Sequence, residues 1–116
     1  MKARNLNHGG PSERFKRVNA AALPILPLLL SRRWLPDGKR QGREWVALNP
    51  RRADRSPGSF RVNIINGRWA DFATGDSGGD VVSLAAYLGG ISQAEACAQL
   101  AAMLGIDAVN GGKAHG

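Results

Sequence analysis

The dipeptide Asn66-Gly67 stands between two runs of strand-forming residues, and it limits the fold of this chain more tightly than any other stretch. Asn-Gly favours a two-residue type I′ turn, in which both central residues take positive φ. The flanking runs, Ser59 to Ile65 and Arg68 to Phe72, then read as the antiparallel strands of a hairpin. Counting outward from the turn pairs Ile65 with Arg68, Ile64 with Trp69, Val62 with Asp71 and Arg61 with Phe72. Side-chain alternation sends Phe60, Val62, Ile64 and Trp69 to one face, the core side. Arg61, Asn63, Arg68 and Phe72 share the other face.

The rest of the chain is organised around that hairpin. Glu44 to Leu48 is rich in strand formers and predicts a first strand, giving a small sheet of about three strands. Asp80 is placed to cap a helix over Val81 to Leu88, which Gly89-Gly90 stops. Ser92-x-x-Glu95 is a capping box that opens a last helix, with Leu100, Met103 and Leu104 toward the core and Gly105 as its end. A further helix is expected from Pro24 or Pro27 to about Leu35, where Pro36-Asp37-Gly38 forms a turn. The expected class is α+β, with about three helices flanking the sheet. Residues 1–22 read as a basic flexible arm, 23–107 as the single folded domain and 108–116 as a flexible tail.

Charge is distributed unevenly. Residues 32–68 hold ten Arg or Lys against Asp37, Glu44 and Asp54. Residues 69–116 hold Lys113 against Asp71, Asp76, Asp80, Glu95 and Asp107. Twelve of the 16 basic residues are Arg, the type suited to bidentate phosphate contact and base stacking. A basic middle beside an acidic end fits a polyanionic partner, though a merely solvated basic surface has the same composition. The apolar run Ala20 to Leu30 contains Pro24 and Pro27 and falls far short of the ~20 residues a membrane span needs, so no membrane association is expected. One cysteine, Cys97, leaves no intrachain disulfide and no cysteine-based zinc site, which suits a reducing cytoplasm.

Ser56-Pro57-Gly58-Ser59-Phe60-Arg61-Val62, the glycine loop with Gly75, Gly78 and Asp80, and the helix with Glu95-Ala96 and Leu100-Ala101 follow one another in a known order. From about Gly42 to Ile106 the chain resembles the zinc-ribbon domain that begins bacterial-type DNA primases and related phage and plasmid primase proteins. That family reads C-P-x-H, T-P-S-F-x-V, C-x-x-C-G-x-x-G-D and then x-E-A-x-x-x-L-A. Gly58 and Gly79 are extra residues against that pattern. The ligand positions fall at Ala47, Pro50, Asp71 and Thr74, none of them Cys or His. The resemblance implies a small antiparallel sheet with flanking helices, used on DNA in phage or mobile-element replication, with no zinc and no cofactor. The family's catalytic part is a separate, larger domain, so a non-catalytic DNA-binding accessory is implied. Two other readings stay open: an adaptor that docks on a replication protein without touching DNA, and a piece of a longer primase-helicase.

The candidate nucleic-acid-binding residues are Arg61, Arg68 and Phe72 on the hairpin, Arg51, Arg52 and Arg55 in the loop before it, and Arg43 before the first strand. Cations flanking an aromatic ring on one sheet face are what single-strand binders use, the cations for phosphate and the ring for base stacking. Single-stranded DNA is therefore the first partner considered. A bulge after Trp69 would instead turn Phe72 inward and leave the arginines solvated. Trp45 and Trp69 read as core. The loop Thr74 to Asp80 lacks a phosphate-binding lysine, and Asp76 and Asp80 would repel an anion, which leaves Asp80 as a helix cap. A divalent metal on Asp71, Asp76 and Asp80 has no supporting ligand spacing. His8 and His115 lie in opposite tails, Cys97 lies in an Ala-rich helix, and no nucleophile–base pattern is present, so no enzyme activity is expected.

Overall fold

The computed structural model describes residues 11–52 and 58–106. Five strands, β1 (Lys39–Gln41), β2 (Glu44–Ala47), β3 (Phe60–Asn63), β4 (Trp69–Asp71) and β5 (Ser77–Gly78), form an antiparallel meander in the order β1-β2-β3-β4-β5. Four α-helices accompany them: α1 (Pro11–Ala22), α2 (Leu26–Leu29), α3 (Val81–Gly89) and α4 (Gln93–Leu104). The α+β class is as expected. The sheet has two strands more than expected because β1 and β5 are short, polar or glycine-bearing edges with no apolar alternation. Short charged edges also suit a sheet that must not pair with other chains.

Residues 11–22, expected to belong to a flexible arm, form α1, and Val18 and Ala22 on it are fully buried. Val18, Ala22, Leu26, Leu29 and Leu30 make one apolar stripe that continues through the two prolines. Each proline lacks an N–H to give to the residue four back, so the helix is not regular there. Leu23–Ile25, around Pro24, is 3₁₀, and Leu30–Trp34 is a π turn closed by the Leu35 N–H on the Leu30 carbonyl at 2.9 Å. The helical segment thus starts well before Pro24 and ends where the sequence places its end.

The hairpin register differs from the Asn-Gly expectation by two residues. Phe60 pairs with Asp71, Arg61 with Ala70 and Val62 with Trp69. The Asn63 N–H donates to the Arg68 carbonyl at 2.7 Å, so the loop has four residues, Ile64 to Gly67. Gly67 has a positive φ, +81°, and its N–H donates to the Asn63 carbonyl at 2.8 Å. The longer loop is stabilised by Asn63, whose side-chain oxygen accepts from the N–H groups of Ile65 at 2.8 Å and Asn66 at 3.1 Å. An asparagine at the end of a strand caps the turn from within, and this outweighs the two-residue preference of Asn-Gly. A slip of two leaves every side chain on its original face, so the face assignment stands.

The inner face packs against the helices. Phe60, fully buried, lies with its ring centroid 6.0 Å from both Trp69 and Tyr87, and Trp69 is 4.6 Å from Tyr87. The Trp69 indole N–H donates to the Ser83 hydroxyl of α3 at 2.9 Å. Gly78 lies opposite Trp69, and a Cβ there would collide with that indole nitrogen and the Ser83 oxygen. Trp45, half-buried on the same face, donates to the Leu35 carbonyl at 2.9 Å. Asp80 caps α3 by accepting from the Ser83 N–H at 2.8 Å, and the Ser92–Glu95 box opens α4 as read from sequence. Leu100 is buried on α4, whereas Met103, expected in the core, is 41% exposed.

Candidate nucleic-acid interface

Strand register defines the outer face of the sheet. One row crosses all five strands: Lys39, Val46, Arg61, Ala70 and Ser77. The next row is Gln41, Glu44 and Asn63, and the Asn63–Arg68 hydrogen bond extends it to Arg68. Phe72 continues the pattern, since its N–H donates to the Ser59 carbonyl at 2.7 Å. The ring of Phe72 is 70% exposed, the most exposed large apolar side chain among the described residues. Arg61, Arg68, Phe72, Asn63 and Glu44 line a groove of about 520 Å³ that runs over Ala70 to Gly78 and Gly79. Small residues along its floor leave the backbone open to close approach.

Arg61 is fixed in this groove. Its Nε donates to the Gly58 carbonyl at 2.9 Å and its Nη1 to Glu44 Oε1 at 2.9 Å. Arg68 is exposed, and its side chain has no hydrogen-bond partner among the described residues. Arg43 is exposed in the β1–β2 turn, next to the hairpin tip, where its carbonyl accepts from the Ile64 N–H at 2.8 Å. Lys39 joins the outer face because β1 is a strand, with Lys39 opposite Val46.

The loop arginines are elsewhere. Arg52 reaches to the inner end of the sheet and grips Asp71, Nε to Oδ2 at 2.7 Å and Nη2 to Oδ1 at 3.1 Å, with Nη2 also on the Ser59 hydroxyl at 2.9 Å. Asp71 is fully buried and also accepts from Asn49 Nδ2 at 2.7 Å and the Ala73 N–H at 2.8 Å. The Arg52 guanidinium beside it holds the Asp71 carboxyl far below the usual carboxylate range, against the opposing effect of burial. Asn49 Nδ2 bridges on to the Tyr87 hydroxyl at 2.8 Å, which donates to Asp76 Oδ2 at 2.9 Å. Burial raises the Tyr87 hydroxyl above its ordinary pKa. Arg51 lies over the Tyr87 ring, 5.4 Å from its centroid, and donates to the Tyr87 carbonyl at 2.6 Å. Arg51 and Arg52 thus fasten the β2–β3 loop to the domain and do not join Arg61, Arg68 and Phe72. Arg55 lies outside the described residues, as do His8 and His115.

These contacts also test whether a metal suits the primase-like ligand positions. Ala47 and Pro50 carry no donor side chain, and the Asp71 carboxylate is engaged by Arg52, Asn49 and Ala73. The donor set does not fit zinc. The cation at this carboxylate is the Arg52 guanidinium. Asp71 was legible as inward-facing from the hairpin alternation, and a buried carboxylate demands a cationic partner. That demand was the signal that would have found Arg52.

Comparison with protein-family models and with curated proteins finds no match for this chain. No helix among the described residues is long and apolar enough to cross a membrane.

Proposed function

We propose that the chain is a non-catalytic DNA-binding accessory domain that takes a single strand along the outer face of its sheet, in phage or mobile-element replication. The observation that carries this reading is the groove in which Arg61, Arg68 and the exposed Phe72 ring come together. An aromatic ring held in water on a rigid strand end is a stacking platform, and the neighbouring guanidinium groups reach phosphate. Lys39 extends the positive field along the same face, and exposed Arg43 adds to it from the β1–β2 turn. The order of the primase-like elements supports the replication setting, and Asp71–Arg52 supplies locally the fastening that a ribbon gains from its metal.

Fluorescence anisotropy tests the reading, with a labelled single strand of about 12 nucleotides and the matching duplex. Both should bind at about 50 mM salt and weaken steeply toward about 200 mM. Phe72→Ala should cost about tenfold on the single strand, within the range for one stacked base, and little on the duplex, whose bases expose no full face. If neither strand form binds at the lower salt, the proposal fails. An adaptor docking on a replication protein then replaces it.

A further inference from the structure

We propose that Glu44 reads the base in this groove and biases the domain toward guanine. The inference rests on the nucleic-acid reading of the groove. Among the groove's lining residues Glu44 is the one acid, and a carboxylate is a liability where phosphate must lie. Its position is nevertheless well defined. Glu44 stands opposite Asn63 in the β2–β3 ladder, and its Oε1 accepts from Arg61 Nη1 at 2.9 Å. Arg61 is itself anchored by Nε on the Gly58 carbonyl at 2.9 Å, so the carboxylate is held by a braced arm. Its side chain is 38% exposed, and Oε2 makes no hydrogen bond among the described residues.

A fixed, half-exposed carboxylate can only accept hydrogen bonds. A base whose neighbour stacks on Phe72 presents its Watson–Crick edge to the groove only when it is unpaired. Guanine offers two adjacent donors there, N1–H and the N2 amine, spaced for the two oxygens of one carboxylate. Cytosine and adenine each offer one exocyclic amine, and thymine offers only N3–H beside two repelling carbonyls. The order expected is guanine first, cytosine and adenine next, thymine last. Asn63 does not compete for this role through its oxygen, which is engaged by the turn N–H groups of Ile65 and Asn66.

The test compares an oligothymidylate of about ten nucleotides with the same strand carrying one central guanosine, cytidine or adenosine. The guanosine strand should bind about tenfold more tightly than oligothymidylate, as one bidentate contact allows. In Glu44→Gln that ratio should fall to near one, while oligothymidylate binds slightly better because a negative charge is gone. If the unmodified protein binds all four strands equally, Glu44 reads nothing and the DNA proposal stands without it. If Glu44→Gln tightens all four alike and keeps their order, the carboxylate only neutralises Arg61 and the inference is overturned. If no strand binds at all, the nucleic-acid reading fails and this inference with it.

Discussion

Asp71 and Glu44 stand on the same small sheet, and each is paired with an arginine at hydrogen-bonding distance. Asp71 points inward, is 0% exposed, and meets Arg52 through both of its oxygens. Glu44 points outward, is 38% exposed, and meets Arg61 through one oxygen. The first pair has further donors, Asn49 and the Ala73 amide, which satisfy the lone pairs that burial would otherwise strand. The second leaves an oxygen to the solvent or to a ligand. An arginine–carboxylate pair therefore has no fixed meaning: burial and the count of additional partners decide whether it holds the fold or furnishes a surface.

The largest expected effect follows from removing the inner carboxylate. Asp71→Ala takes from Arg52 its buried carboxylate and from Asn49 one of its acceptors, and should cost about 3 kcal/mol, the low end for breaking a buried pair. The low end applies because the Arg52 side chain is 28% exposed and can partly rehydrate. Urea denaturation measures it, and a loss below about 1 kcal/mol, the range of exposed pairs, would erase the contrast with Glu44. Acid sharpens the same point. Because the folded pKa of Asp71 is depressed, its contribution is whole above the unfolded value near 4. It then shrinks as pH falls from there toward the depressed folded value, since the unfolded chain takes up the proton first. Asp71→Asn should therefore lose stability less steeply than the unmodified protein below about pH 4.

The turn that joins β3 to β4 holds the pairing register of the hairpin. Gly67 has φ +81°, and a Cβ there would sit 3.3 Å from Val81 Cγ2 at the start of α3. Gly67→Val should cost about 1–2 kcal/mol, from the left-handed backbone and from β-branching. Gly67→Asn should cost less, because asparagine tolerates that backbone. Equal losses in the two variants would mean that crowding against α3, not φ, fixes the loop.

The hairpin and its faces were legible in the sequence, as were the Asp80 cap and the Ser92–Glu95 box, because each rests on local chemistry with a short reach. The exact register was not, since Asn63 capping competes with Asn66-Gly67 and only the packed loop decides between them. β1 escaped notice because Lys39-Arg40-Gln41 lies at an edge and buries nothing, so no apolar pattern marks it. α1 escaped because Pro11 to Ala22 is polar on average, with burial confined to Val18, Ala22 and the half-buried residues beside them. Of the candidate site, Arg61, Arg68 and Phe72 were assigned to one face by alternation alone. Arg51 and Arg52 were not separable from them, since nothing in a loop sequence tells which arginine a buried carboxylate will claim.

The smallest effect expected is also the one that completes the contrast. A double-mutant cycle over Glu44→Ala and Arg61→Ala should give a coupling of about 0.5 kcal/mol or less, the usual size for an exposed pair joined through one oxygen. The same cycle over Asp71→Ala and Arg52→Ala should give several times more, because burial removes the solvent that would otherwise take over from each partner. Added salt separates the two further. At about 1 M, screening reaches within a few ångströms and should abolish the outer coupling while leaving the inner one nearly intact. A coupling above about 1.5 kcal/mol at Glu44–Arg61 that survives such salt would exceed what exposed pairs deliver. Arg61 would then be a brace of the sheet, withdrawn from phosphate as Arg52 is, and the outer groove would rest on Arg68 and Phe72 alone.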